Sequence, residues 1–318
     1  MTAPTRSGQL IPFALILFAG VLIGSFTLRL ATPPPPEPPR FVSITEAGAA
    51  DESPAVSPDG RWLVWFSEFG GALGVWKRPL AGGQRSPIAT GAVGLPRFTA
   101  DARAVLVTAS DSTSTSVYRI ALADGRSTRV LSDALDADPS LDGRWLAYLR
   151  RESRGDAIEW VLAIADSAGR GEKIVHREHG RGLRGPRWSP DAKRLAVSVR
   201  ARPDSSGAIL LLVVGEVARP LTLPLTKGSP SVGAWLDSKR FVYAISTAAT
   251  ATWPYAGSSI RVHHVKRDRS YEALWLPIAI DQVETTPDGR LILGSAGNQV
   301  EVPNLWLVDR VPGVRTAP

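Results

Sequence analysis

Ser57-Pro58-Asp59-Gly60-Arg61-Trp62-Leu63-Val64-Trp65 decides the fold. Asp-Gly between two β-prone runs is a strong hairpin signal, because Gly accepts positive φ and Asp caps its own turn. The run after the turn is aromatic and β-branched, as a buried strand requires. The same Asp–small–basic turn recurs at Asp101-Ala102-Arg103, Asp142-Gly143-Arg144, Asp191-Ala192-Lys193, Asp237-Ser238-Lys239 and Asp288-Gly289-Arg290. The separations are 42, 41, 49, 46 and 51 residues. Periods of roughly 40–50 residues belong to propeller blades of four strands.

Around each turn the order of segments repeats. In the first copy, strands are predicted after the turn, at Leu73-Gly74-Val75-Trp76 and over 85–90, with Gly-Gly turns between them. One such sheet cannot bury both its faces, so six must stack around an axis. The sixth copy supplies three strands and ends near Asp309, while Arg40-Phe41-Val42-Ser43-Ile44-Thr45 stands alone before the first. This orphan is predicted to be the fourth strand of the sixth blade. It closes the ring and removes free sheet edges. The fold class expected is all-β, a six-bladed propeller over residues 40–310, preceded by one transmembrane helix.

Leu10 to Leu28 is a 19-residue stretch without charge. As a helix it would span ~28 Å, enough for a bilayer core. Cleavage after Ala31 would put Arg29 in the recognition site, so an uncleaved signal anchor over 10–30 is the preferred reading. The tail 1–9 is short, which favours an N-in insertion with the propeller outside the cytoplasm, periplasmic in a Gram-negative cell. Residues 31–39, Ala-Thr-Pro-Pro-Pro-Pro-Glu-Pro-Pro, read as a polyproline spacer reaching ~25 Å. Residues 311–318 read as a C-terminal tail.

The net charge is +7, but of 37 basic residues only six are Lys, and Arg is spread throughout. The chain has no cysteine, so disulfide and thiolate chemistry are excluded.

Motifs that suggest chemistry fail on context. Gly180-Arg181-Gly182-Leu183-Arg184-Gly185 fits GxGxxG but runs into a strand, not a helix. Gly228 to Gly233 has P-loop spacing, but Ala234 and Trp235 replace the Lys and the hydroxyl. His176/His179 and His263/His264 lack further converging ligands, and no GxSxG is present. The six turn aspartates are distributed around a ring, unlike a glycosidase pair. The sequence therefore assigns no catalytic residue, metal or cofactor. Binding candidates lie in what does not repeat. Trp253 and Tyr255 sit in the long insertion of the fifth repeat, and Arg181 and Arg184 belong to a basic run with Arg177 and Arg187.

The run 57–65, with Ser189-Pro190-Asp191-Ala192-Lys193 and Thr286-Pro287-Asp288-Gly289-Arg290, resembles the repeat of TolB-like six-bladed propellers. The second and fifth copies are degenerate. Anchor, linker and propeller together also resemble the extracytoplasmic half of certain bacterial receptor serine/threonine kinases, without a kinase domain in these 318 residues. The resemblance implies a scaffold or sensor. The expected function is a membrane-anchored, non-catalytic module that binds a protein, peptide or envelope component. No nucleic-acid partner is expected. The alternative is a hydrolase or lyase working in the central channel, which requires carboxylates or histidines converging at one mouth.

Overall fold

The Asp turns are built alike, and a computed structural model of the chain shows how. It describes residues 38–45, 50–91, 94–110, 114–155, 157–200, 207–215, 221–224, 229–247, 257–295, 304–309, 311 and 314. In four copies the Ser or Thr two residues before the Asp donates its hydroxyl to the carboxylate: Ser57, Thr99, Ser140 and Ser189, at 2.5–2.7 Å. Thr286 does the same for Asp288. The carboxylate also accepts the backbone N–H two residues on, as from Arg61 at 3.0 Å and Lys193 at 3.2 Å. These donors favour the ionised form. Led by Ser57, they hold the Asp59 carboxyl at about 2. In the fifth copy the residue two before the Asp is Trp235, without a hydroxyl, and Asp237 takes the N–H groups of Lys239 and Arg240 at 2.7 and 2.9 Å.

Each turn joins the first two strands of an antiparallel sheet, and the described residues form six such sheets. The first blade is Asp51–Val56, Trp62–Phe69, Ala72–Pro79 and Ser86–Thr90. The innermost strands of the next blades are Arg97–Phe98, Leu135–Pro139, Leu183–Trp188, a split pair Ser229–Pro230 and Ala234–Asp237, and Ile280–Thr285.

The predicted closure is observed. Strand Arg40–Ser43 pairs antiparallel with Leu305–Asp309, the third strand of the sixth blade. Ile44 N–H donates to Leu305 O at 2.8 Å, and Leu305 N–H donates to Thr45 Oγ1 at 3.1 Å. Phe41 pairs with Val308, which pairs with Leu291 just after the Asp288 turn. The chain therefore enters the propeller at the end of the blade that carries the Asp turns.

Apolar side chains fill the seams between blades. Ile44, Leu63, Trp65, Ile292 and Leu305 lock the sixth blade to the first. Val311 and Val314 are buried with Ile280, Leu293 and Val308, so the segment read as a tail contributes to the core. The expected helix 10–30 lies outside the described residues. Among those described, no helix is long and apolar enough to cross a membrane.

Every seam also carries a polar tie. Arg97 Nη1 donates to Pro54 O at 2.9 Å, Asp136 N–H to Thr108 Oγ1 at 3.1 Å, and Trp188 N–H to Asp138 Oδ2 at 2.8 Å. Trp235 Nε1 donates to Arg187 O at 3.0 Å, Val283 N–H to Val232 O at 2.8 Å, and Gln282 Nε2 to Ser53 Oγ at 3.1 Å.

The closing strand is exposed along its length, and Ile44 just beyond it is 6% exposed. Closure is thus pinned at its end. Ile44→Ala is expected to cost about 2–5 kcal/mol through a seam cavity. Val42→Ala is expected to stay within about 1 kcal/mol. Urea unfolding of both variants checks the contrast.

Candidate functional site

The turn geometry sets which side chain faces the axis. In five copies the residue four before the turn Asp, and in the fifth the residue three before it, occupies one equivalent place. These residues are Ala55, Arg97, Asp138, Arg187, Ala234 and Glu284. Their cross-strand partners are equivalent too: Val64, Leu106, Ala147, Ala196, Val242 and Ile292. All six line one cavity of about 280 Å³ at the Asp-turn end of the channel. Above them lies a collar that includes Pro58, Leu141, Pro190, Leu236 and Pro287. Leu141 is 52% exposed.

A backbone bulge precedes the ring in each of the first, third and fourth blades. Two residues there oppose one across the strand pair: Ser53 and Pro54, Asp136 and Ala137, Gly185 and Pro186. The first of each pair has positive φ, at 57°, 51° and 63°. In the second blade Leu95, before Pro96, takes φ 44°. Such bulges re-aim the strand, and here they turn the next side chain inward. Gly185 has a second reason to be Gly, since a Cβ would lie 2.3 Å from Val232 Cγ1.

Four of the six ring positions carry ionisable side chains, and these are held close. Arg97 and Arg187 are each 5% exposed. Arg97 Nε is 3.8 Å from Asp138 Oδ1, and its Nη1 is 3.6 Å from Glu284 Oε2. Arg187 Nη1 donates to Pro186 O at 2.8 Å and lies 4.0 Å from Asp136 Oδ1. Asp136 also accepts the N–H of Gly185. Burial pushes the Asp138 carboxyl up to about 7, against the pull of Arg97 and the Trp188 N–H. Burial likewise raises Asp136 and Glu284. Arg97 Nε, Arg187 Nε and Trp188 Nε1 are buried without a hydrogen-bond partner among the described residues.

The sequence-derived candidates fall elsewhere. Arg184 donates to Asp281 Oδ1 at 2.7 Å and Pro230 O at 3.0 Å, tying the fourth blade to the fifth and sixth. Arg181 is held by Glu178 at 2.8 Å, and Arg177 by Glu152 and Glu159 at 2.7 and 2.5 Å. The basic run is therefore spent on internal partners and a channel position. Trp253 and Tyr255 lie outside the described residues. His263 is 1% exposed and contacts Ser270 Oγ at 3.1 Å through Nδ1, with Asp268 3.9 Å from Nε2. Ser270 Oγ also receives the Tyr243 hydroxyl at 3.2 Å. This trio links three successive strands of one blade, and its His is buried in the sheet. Among the described residues no His, Cys, Asp and Glu cluster fits a metal ion.

Sequence reading missed the ring, though aligning the copies on the turn Asp and reading four residues back, three in the fifth copy, displays it.

Comparison with known proteins agrees with this architecture. No family model matches the chain, and no curated protein sequence matches it. Solved structures do. TolB from Acinetobacter baumannii is similar at 14% identity, covering 86% of this chain and 67% of that one, with a TM-score of 0.55. An oligogalacturonate lyase from Vibrio parahaemolyticus is similar at 11% identity, covering 86% and 94%, with a TM-score of 0.56. The propeller domain of the Trilobed protease from Pyrococcus furiosus is similar at 14% identity, covering 82% and 83%, with a TM-score of 0.52. The fold is that of TolB-like six-bladed propellers.

The raised carboxyls make stability pH-dependent with a definite sign. Between 3.8 and about 7 the unfolded Asp138 has lost its proton while the folded one retains it. The unfolded state then binds fewer protons, so stability falls as pH rises through this window and levels off above it. A carboxyl moved that far corresponds to on the order of 4 kcal/mol. Asp138→Asn is expected to flatten the decline, read as urea midpoints of the full chain at pH 4.5 and 7.5.

Proposed function

We propose that the protein is a membrane-anchored, non-catalytic propeller that binds a protein, peptide or envelope component at the Asp-turn mouth of its channel, outside the cytoplasm. One observation carries the binding site. Blades one and five fill the ring position with Ala55 and Ala234. The fold is therefore satisfied by alanine there, yet the other four blades bury charges. Burying charge costs free energy unless each is matched. Two guanidiniums and two carboxyls under an apolar collar mark a place shaped for recognition.

The size and chemistry of the mouth fit side chains of a partner. A cavity of about 280 Å³ lies just below the range of pockets that enclose a whole small molecule. The collar offers apolar contact at its rim, and the ring offers orientation beneath it. Polar groups beneath apolar walls are the usual division between specificity and affinity. The uncharged stretch 10–28 and the proline spacer support the anchor, and the short N-terminal tail supports the orientation.

A second reading is favoured by the convergence it requires: Asp138 and Glu284 line one mouth on either side of Arg97, and burial pushes the Asp138 carboxyl up to about 7. Such a group suits general acid–base chemistry near neutrality. Because a similar fold occurs in an oligogalacturonate lyase, that sugar is the first substrate to try. Turnover that Asp138→Asn abolishes would replace the binding reading.

The binding reading is tested in intact cells with a photo-crosslinking residue at Leu141, and at Ile158 as control. Both sites are exposed, at 52% and 51%, and Ile158 lies beside the hairpin at the opposite end of its blade. Leu141 is expected to give discrete adducts and Ile158 none. Equal or absent labelling would overturn the assignment. A reporter fused after Pro318 checks the topology, with activity expected only outside the cytoplasm.

A further inference from the structure

A second concavity opens between the fifth and sixth blades. It has a volume of about 320 Å³, and every residue lining it is apolar. Ile280 and Leu293, 1% and 0% exposed, form its floor. Phe41, Leu276, Ile278 and Trp306 form its walls. Phe41 belongs to the closing strand, Trp306 to the strand beside it.

The closing strand exposes apolar side chains beside the groove, as does the outer strand of the fifth blade with Tyr271 and Trp275, at 41% and 43%. Phe41 and Val42, on its two faces, are 41% and 42% exposed. The outer strand of the second blade begins with exposed Ser127, Thr128 and Arg129 instead. A bare apolar edge flanking an apolar groove is the kind of surface that another phase or molecule covers.

Its position in the chain says which. Phe41 lies two residues after Pro39, the last residue of the proline spacer, and 13 after Leu28, where the uncharged stretch ends. No other part of the propeller is so short a reach from that stretch. Nine spacer residues at ~3.1 Å each reach roughly 28 Å, so the closing strand is the part of the propeller that the chain holds nearest the uncharged stretch. Aromatic side chains with a neighbouring Arg, here Phe41, Trp306 and Arg40, suit the boundary between headgroups and acyl chains.

We propose that this groove and the closing strand seat on the interface of the membrane that anchors residues 10–30. The docking rests on the membrane anchoring proposed above and adds a second contact, through the propeller itself. It would fix the rotation of the blades about the tether, with the fifth and sixth blades against the lipid.

The test uses the full chain in liposomes containing lipids brominated along the acyl chain. Flotation reports the anchor, and quenching of tryptophan fluorescence reports the groove. The emission lost in Trp306→Phe is expected to be the component quenched, by about half or more, in the parent chain. Phe41→Asp, at an exposed edge position, is expected to keep flotation and reduce that quenching at least twofold. Flotation with equal quenching of the parent, Trp306→Phe and Phe41→Asp would overturn the groove contact and leave the anchor standing. A chain that does not float would overturn both. Crosslinks between Phe41 positions of two chains, without quenching, would assign the groove to a second copy and overturn the lipid contact.

Discussion

A hydroxyl donated to a carboxylate two residues away organises this propeller. Where Ser or Thr stands before Asp, the bond closes the turn between the first two strands of a blade and fixes their register. Ser57, Ser140 and Ser189 also accept the N–H five residues on, at 2.9 Å in each case. One side chain thereby satisfies a donor and an acceptor at the mouth of the sheet. Once the register is fixed, the residue four before the Asp must face the axis, because side chains alternate along a strand and the bulge resets the alternation. The channel ring is a geometric consequence of the turn.

Closure follows the same logic at the other side of the blade. A six-blade ring with a three-stranded last blade leaves Leu305–Asp309 as an open edge, and Arg40–Ser43 occupies it. The seam clusters then bury the faces, and the hydrogen bonds between innermost strands satisfy backbone groups that the channel would otherwise leave bare. Arg97 shows how tightly these layers join. One guanidinium donates to the first blade and faces carboxylates on the third and sixth.

The repeats made the fold legible, since a turn, a hydroxyl and a β-rich run recur with nearly constant spacing. The closing strand was legible by subtraction, because six turns require six outer strands. The channel was harder to read. Gly185 looks like a loop residue in a linear reading, yet with Pro186 it forms a bulge inside an innermost strand, and Leu95-Pro96 directly precede another. Arg184 and Arg187 look alike in a basic run, but three residues of a bulged strand place them at different levels. Arg184 meets Asp281, and Arg187 lines the Asp-turn mouth. Charge in sequence could not separate them, because the distinction is made by partners 51 and 97 residues away, Asp136 for Arg187 and Asp281 for Arg184. Trp253 and Tyr255 stand in a stretch without the repeat to place them.

Symmetry of position and asymmetry of chemistry together locate function in such a ring. The fold repeats the place, so it places no demand on the identity of the residue beyond what the seam requires. Alanine at two of the six places shows how small that requirement is. Two guanidiniums and two carboxyls at the remaining four are therefore an added feature, bearing a desolvation cost that the neighbouring apolar collar increases. Their mutual attraction offsets part of the cost while leaving Arg97 Nε, Arg187 Nε and Trp188 Nε1 without hydrogen-bond partners among the described residues. A ring tuned for stability alone would satisfy these donors or dispense with the charge, as blades one and five do. Retaining them keeps directed polarity at the base of an open mouth, where a partner side chain that reaches the ring can exchange its own hydration for fixed groups.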